Sequence, residues 1–213
     1  MHRFAFYCAG ALLALCSTAH ATTFRFDTDP FAGTNVLNTA GRQVVGNEDF
    51  INFSIPTDTF SLESSVFGVT GPLNFVNATA PLLPATGVNV VVLQSFDDDA
   101  NPLTPFAAGN AANLIADKIT SPGAGFFIYF NQGLDLPRLV YSTDLSDNSA
   151  DLKILARMVN LTGDSGRNAV PTFSAANFAL TTAVPEPSSF FGIILAAGLA
   201  AGCCIWRRKR VHA

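Results

Sequence analysis

The sequence predicts a mainly β exported domain, an antiparallel β-sandwich-like fold with one short helix, flanked by two membrane-handling segments. Three observations carry that expectation. Short apolar runs rich in β-branched and aromatic residues recur through the middle of the chain. Clusters of Gly, Pro, Asn and Asp separate them, and two longer uncharged stretches lie at the ends, each beside basic residues.

The elements follow in order. Residues Phe50 to Ile55 (FINFSI) alternate apolar and polar, as a strand with one wet face does. Val88 to Phe96, Phe126 to Phe130 and Arg138 to Ser142 are further strand candidates. Ala107 to Ile119 is Ala-rich, with Ala111, Leu114, Ile115 and Lys118 at helical spacing, and is the one predicted helix. Asp151 to Val159 fits both periods, and its neighbours favour a strand. Turn clusters at Thr70 to Pro72, Pro81 to Gly87, Ser121 to Gly123 and Gly163 to Gly166 divide the runs. Many short strands with polar turns point to two stacked antiparallel sheets.

At the amino end, Met1, His2 and Arg3 precede an apolar run from Phe4 to about Cys16, and Ala19-His20-Ala21 supplies small residues at the spacing signal peptidase cuts. Residues 1–21 are therefore expected to be a removed signal peptide, leaving Thr22 as the first residue. At the other end, residues 190–206 carry no charge and no proline. At about 1.5 Å per residue they reach the short end of what spans a hydrocarbon core. Arg207, Arg208, Lys209 and Arg210 follow and would hold the cytoplasmic side. Pro185 and Pro187, around Glu186, keep the segment ahead of the span extended and readable by another protein.

Val184-Pro185-Glu186-Pro187, the single span and the Arg-Arg-Lys-Arg stop together resemble the PEP-CTERM sorting domain of exported bacterial proteins. The resemblance covers residues 184–213. It implies a membrane-embedded exosortase as partner, cleavage near Pro185 to Pro187, and passage of the domain from a transient inner-membrane anchor to the cell surface or extracellular matrix, where exopolysaccharide is a possible partner. Gly125 to Met158 is also similar to segments of other proteins in that family, and this brings no catalytic residues with it.

What the exported segment, residues 22–183, lacks is as informative. All four cysteines and all three histidines of the chain fall outside it. It therefore has no disulfide framework, no Ser-His-Asp or Cys-His nucleophile and no imidazole- or thiolate-bound zinc. Seven basic side chains stand against fifteen acidic ones, a net of −8 hidden by the basic tail. So acidic a surface is a poor nucleic-acid binder. Fifteen phenylalanines supply a core without help from disulfides.

Two acidic loops offer oxygen ligands. Asp97, Asp99 and Asn101 stand at alternate positions, and Asp144, Asp147 and Asp151 form a second acidic loop that could complete a calcium site. Pro102 and Ala108 occupy positions where an EF-hand needs Gly and Glu, so any such site is of another kind. The same residues also read as solvated turns. The expected role is structural or adhesive rather than enzymatic. The alternatives are a glycan- or calcium-binding module, with Tyr129 or Tyr141 exposed beside the acidic loops, a permanently anchored single-span protein, and a hydrolase built on paired carboxylates.

Overall fold

The computed structural model describes residues 20–101 and 103–182. Seven strands form the larger sheet: β2 (Val44–Val45), β3 (Asp49–Ile51), β5 (Phe75–Ala78), β6 (Val90–Leu93), β7 (Gly125–Asn131), β8 (Leu136–Ser142) and β9 (Leu152–Met158). Their order is β2-β9-β8-β7-β6-β5, with β3 on the same edge of β9 as β2. A second sheet holds β1 (Thr23–Phe26), β4 (Thr59–Glu63) and β10 (Phe178–Thr181) in the order β1-β4-β10. Three α-helices, α1 (Ser64–Phe67), α2 (Ala108–Ala116) and α3 (Gly163–Ala169), accompany them among the described residues, with four short 3-10 turns.

The mainly β expectation stands, but its antiparallel form needs correction. Only β7–β8 and β8–β9 run antiparallel; every other pairing, including both in the small sheet, is parallel. The reason is burial. Phe126, Ile128, Val90 and Val92 face a core shared with Phe60, Leu62 and Phe178 of the small sheet. Phe127, Tyr129, Val91 and Leu93 face the opposite way, onto Ala111, Ala112 and Ile115 of α2. With both faces covered, β6 and β7 read as unbroken apolar runs, which is the mark of a buried, largely parallel sheet. The result is three layers: small sheet, large sheet, helix.

Local chemistry explains the element ends. α2 begins where Asn110 Oδ1 accepts the Ala107 amide at 3.0 Å. After β3 the chain leaves the ladder, and the side chain of Asn160 takes over. Its Oδ1 accepts the Phe53 amide at 2.8 Å while its Nδ2 donates to the Phe53 carbonyl at 3.0 Å. Hence the expected strand over residues 50–55 is only three residues long. Gly125 opens β7 because any Cβ there would lie 2.5 Å from Leu145 Cδ1 and 2.6 Å from the Asn89 carbonyl oxygen.

The core between the sheets is aromatic. Phe53 lies flat on Phe60, ring centroids 4.2 Å apart at 10°, and stacks on Phe173 at 5.6 Å. Both Phe53 and Phe60 are fully buried. Phe53→Ala is expected to cost roughly 3–5 kcal/mol, as burial of a phenylalanine ring predicts. The measurement is a denaturant midpoint shifted with unchanged slope.

Candidate functional site

Three surface features bring chemistry together, and all three depend on tertiary contacts. The first follows from a break in the edge of the large sheet. β2 pairs with Leu152 and Lys153, β3 with Ala156 to Met158, and Gly46-Asn47-Glu48 loops out between them. Asn47 takes a left-handed backbone, φ 65°. Lys153 Nζ donates to the Gly46 carbonyl at 2.5 Å and approaches that of Asn47 at 3.4 Å. The gap opens a hollow of about 340 Å³ whose floor is Phe26, Phe67 and Leu155 and whose rim carries Asp29, Asp49 and Lys153. Asp29 Oδ1 also accepts the Phe31 amide at 2.9 Å. Such a hollow can accept hydroxyl or ammonium donors over an apolar base. Nearby, burial and then the charge of Asp29 push the Tyr141 hydroxyl up to about 12.

At the same loop-out, the Glu48 side chain is enclosed between two arginines. Arg138 and Arg157 face each other across β8 and β9. Glu48 Oε1 accepts from Arg138 Nη2 and from Arg157 Nε, the latter at 2.5 Å. Arg157 also lies over the exposed ring of Phe50, 5.1 Å from its centroid. Burial alone would raise the Glu48 pKa, but hydrogen bonds from Arg157 and Arg138 outweigh it and hold the carboxyl below its ordinary value. The charges were visible in the sequence; their convergence was not, because Glu48 and Arg157 are 109 residues apart.

The third feature is a groove of about 290 Å³ lined by Thr79, Gln94, Phe96, Phe130, Arg167 and Asn168. Arg167 comes from the last turn of α3, where the helix dipole favours a cation. Its guanidinium sits 4.6 Å from the Phe96 ring centroid and 5.3 Å from that of Phe130. Its nearest carboxylate, Asp164, is 3.9 Å away and almost wholly in solvent. Arg167 Nε has no hydrogen-bond partner among the described residues. This is a cation with a planar fork and apolar walls, suited to a carboxylate.

The residues singled out from sequence fall as follows. Asp97, Asp98 and Asp99 cluster closely enough for their oxygens to share one ion. Each of the alternate residues nonetheless caps its own turn. Asp97 Oδ1 accepts the amides of Asp99 and Ala100, Asp99 Oδ1 that of Asn101, and Asn101 Oδ1 that of Leu103. Asp144 and Asp147 stand apart from that cluster. Asp144 Oδ1 accepts from Gly123 and Ser146, and Asp147 Oδ1 from the amide and hydroxyl of Ser149. Those Ser149 bonds hold the Asp147 carboxyl below its usual value. Arg42 ties the second loop down, donating to the carbonyls of Asp147, Ala150 and Gly109 and to Asn113 Oδ1. Tyr129 and Tyr141 are both buried, so the exposed tyrosine that would favour a glycan- or calcium-binding module beside the acidic loops does not occur. Ala21 is exposed just ahead of β1. Ala19, Val184 to Pro187, residues 190–206 and Arg207 to Arg210 lie outside the described residues. Among those described, no helix is long and apolar enough to cross a membrane.

Comparison with family models, with curated proteins and with solved structures found no match to this chain.

The glutamate cluster makes a testable claim. Glu48→Ala leaves two arginines facing each other without a counter-charge and is expected to cost about 3 kcal/mol, the low end for a buried pair since Arg157 keeps some solvent contact. The linkage has a definite sign. The folded pKa is depressed, so the contribution is complete above the unfolded value of about 4.3 and disappears as pH falls through the folded one. Acid unfolding of Glu48→Gln followed by circular dichroism should show a shallower loss of stability between pH 5 and 2 than the parent chain.

Proposed function

We propose that this chain is an exported, non-catalytic protein of the bacterial envelope or extracellular matrix, delivered through its signal peptide and released by an exosortase acting on residues 184–187. Its body is the working part and the terminal segments are its address. The observation that carries this reading is the composite tail: Pro-Glu-Pro, an uncharged span and four consecutive basic residues. The geometry of the body is compatible with it. β1 starts at Thr23 and β10 ends at Thr181, so cuts after Ala21 and near Pro187 would leave every strand of both sheets intact. A body without histidine or cysteine, held by aromatic packing, also suits a structural role outside the cell.

Mass spectrometry of the protein recovered from its host is expected to show an amino terminus at Thr22 and a carboxyl terminus near Pro187. Replacing Glu186 and Pro187 together should shift the protein from the released fraction to the membrane fraction. Recovery of material still carrying Arg210 from the released fraction would refute the processing step.

The groove around Arg167 favours a second reading, in which the body binds carboxylated sugars of a matrix polysaccharide. An acidic domain does not attract polyanions through bulk charge, so recognition would have to come from this one fork between aromatic walls. Calorimetric titration with an oligouronate is expected to give binding that Arg167→Gln weakens at least tenfold. A neutral oligosaccharide of equal length should bind far more weakly. Equal binding of the two sugars would exclude the reading.

A further inference from the structure

Asp58 is a carboxylate with almost no access to water, 3% exposed, at the corner where β1 and β4 begin. Its Oδ2 accepts the Ser54 amide at 2.8 Å and its Oδ1 accepts the Thr57 hydroxyl at 3.1 Å. Oδ1 has one more donor, the backbone nitrogen of Thr22 at 2.9 Å. Among the described residues no cationic side chain forms an ion pair with Asp58. Burial works against its charge, yet the hydrogen bonds keep the carboxyl below its ordinary value, so it is ionised at neutral pH. Its charge is held by neutral donors alone, so a cation placed at one of them would add to the site.

Thr22 is also where the sequence places the first residue of the mature chain. We propose that removal of residues 1–21 completes the Asp58 site, converting the Thr22 amide donor into an α-ammonium that forms a partly buried ion pair and pins the new terminus to the small sheet. The step is a hydrolysis. Water adds across the Ala21–Thr22 peptide bond, its oxygen stays on the Ala21 carboxylate, and the Thr22 nitrogen leaves as an amine that holds a proton at neutral pH. The nitrogen that donates before the cut is the one that carries the charge after it.

The backbone around that nitrogen is already fixed. The Thr59 amide donates to the Thr22 carbonyl at 3.0 Å, and the β1–β4 register starts at Thr23 opposite Thr59. Asn177 Nδ2 donates to the Asp58 carbonyl at 2.9 Å, which ties the same corner to the start of β10. An ammonium at Thr22 therefore meets Asp58 without reorganisation, and charge-assisted hydrogen bonds of this kind exceed neutral ones about twofold. A chain one residue longer or shorter would place its charge elsewhere. The proposal makes the processed body more stable than its precursor, and it extends the reading of residues 1–21 as a removed signal peptide.

The test compares residues 22–213, in detergent and with threonine as the native first residue, against the same chain acetylated at that nitrogen and against a chain starting at Ala21. The free Thr22 start is expected to melt roughly 2–4 °C above both, and in Asp58→Asn the gap between free and acetylated chains should close. Equal melting of free and acetylated chains, or a gap that survives Asp58→Asn, would overturn the ion pair. If Asp58→Asn does not fold, the acetylated and Ala21-start chains decide alone. Amino-terminal sequencing of the exported protein judges the cleavage reading separately: a different start would refute the cut after Ala21, while the melting comparison still judges the pair.

Discussion

Phe53, on the segment that follows β3, rests on Phe60 of the small sheet at 4.2 Å, and most of the body is arranged around that contact. Phe173 stacks on the far side of Phe53, Phe178 tilts against Phe60, and Phe75 of the large sheet reaches Phe178. Phe67, Phe126 and Tyr141 extend the cluster at centroid separations of 4.9 to 5.6 Å. Such pairs add specific geometry to a large hydrophobic contribution. Residues 22–183 contain no cysteine, so these aromatic contacts hold the core without disulfides. The small sheet has only three strands and short ladders, so it persists because this cluster backs it rather than through its own hydrogen bonds.

Burying both faces of the large sheet has a second consequence. Polar and charged residues are pushed to its edges and corners, where some are trapped away from water. Glu48 is paired with two arginines at the β3 edge, Arg42 clamps α2 to the loop before β9, and Asp58 sits under the start of β1. These sites share a logic. Each carboxylate or guanidinium gathers donors or acceptors from segments far apart in the chain, and each fixes where an edge element begins. Residues 22–183 carry a net charge of −8, and their few cations are concentrated at such joints: Arg42, Arg138, Arg157 and Lys153 all hold structure. Arg167 is held by aromatic faces and only a distant, solvent-exposed carboxylate, which is why its groove stands out as a binding surface.

The central strands, β6 to β9, were readable because their apolar runs are long enough to be buried whatever surrounds them. The ambiguous segment 151–159 became β9, as its neighbours suggested, and the Ala-rich stretch became α2. The small sheet was not readable. β1, β4 and β10 are four or five residues each, and Thr23–Phe26 or Phe178–Thr181 in isolation resembles loop. Their strand character comes from pairing with β4, which lies 36 residues from β1 and more than 110 from β10. The acidic loops were legible as turns; their oxygens cap local amides, as Asp and Asn at such spacing do.

Sequence alone, then, set the local facts: which runs must be buried, where the helix over α2 forms, and that residues 22–183 hold neither histidine nor cysteine. These depend only on residue type and near-neighbour spacing. Tertiary structure decided strand direction, the existence of the small sheet, the pairing of Glu48 with Arg138 and Arg157, and the meeting of Thr22 with Asp58. The small sheet, the Glu48 pairs and the Thr22–Asp58 contact each join groups between 36 and about 120 positions apart. No local pattern encodes such a meeting; it arises when two buried surfaces are fitted together and the polar groups left at their margins must find partners.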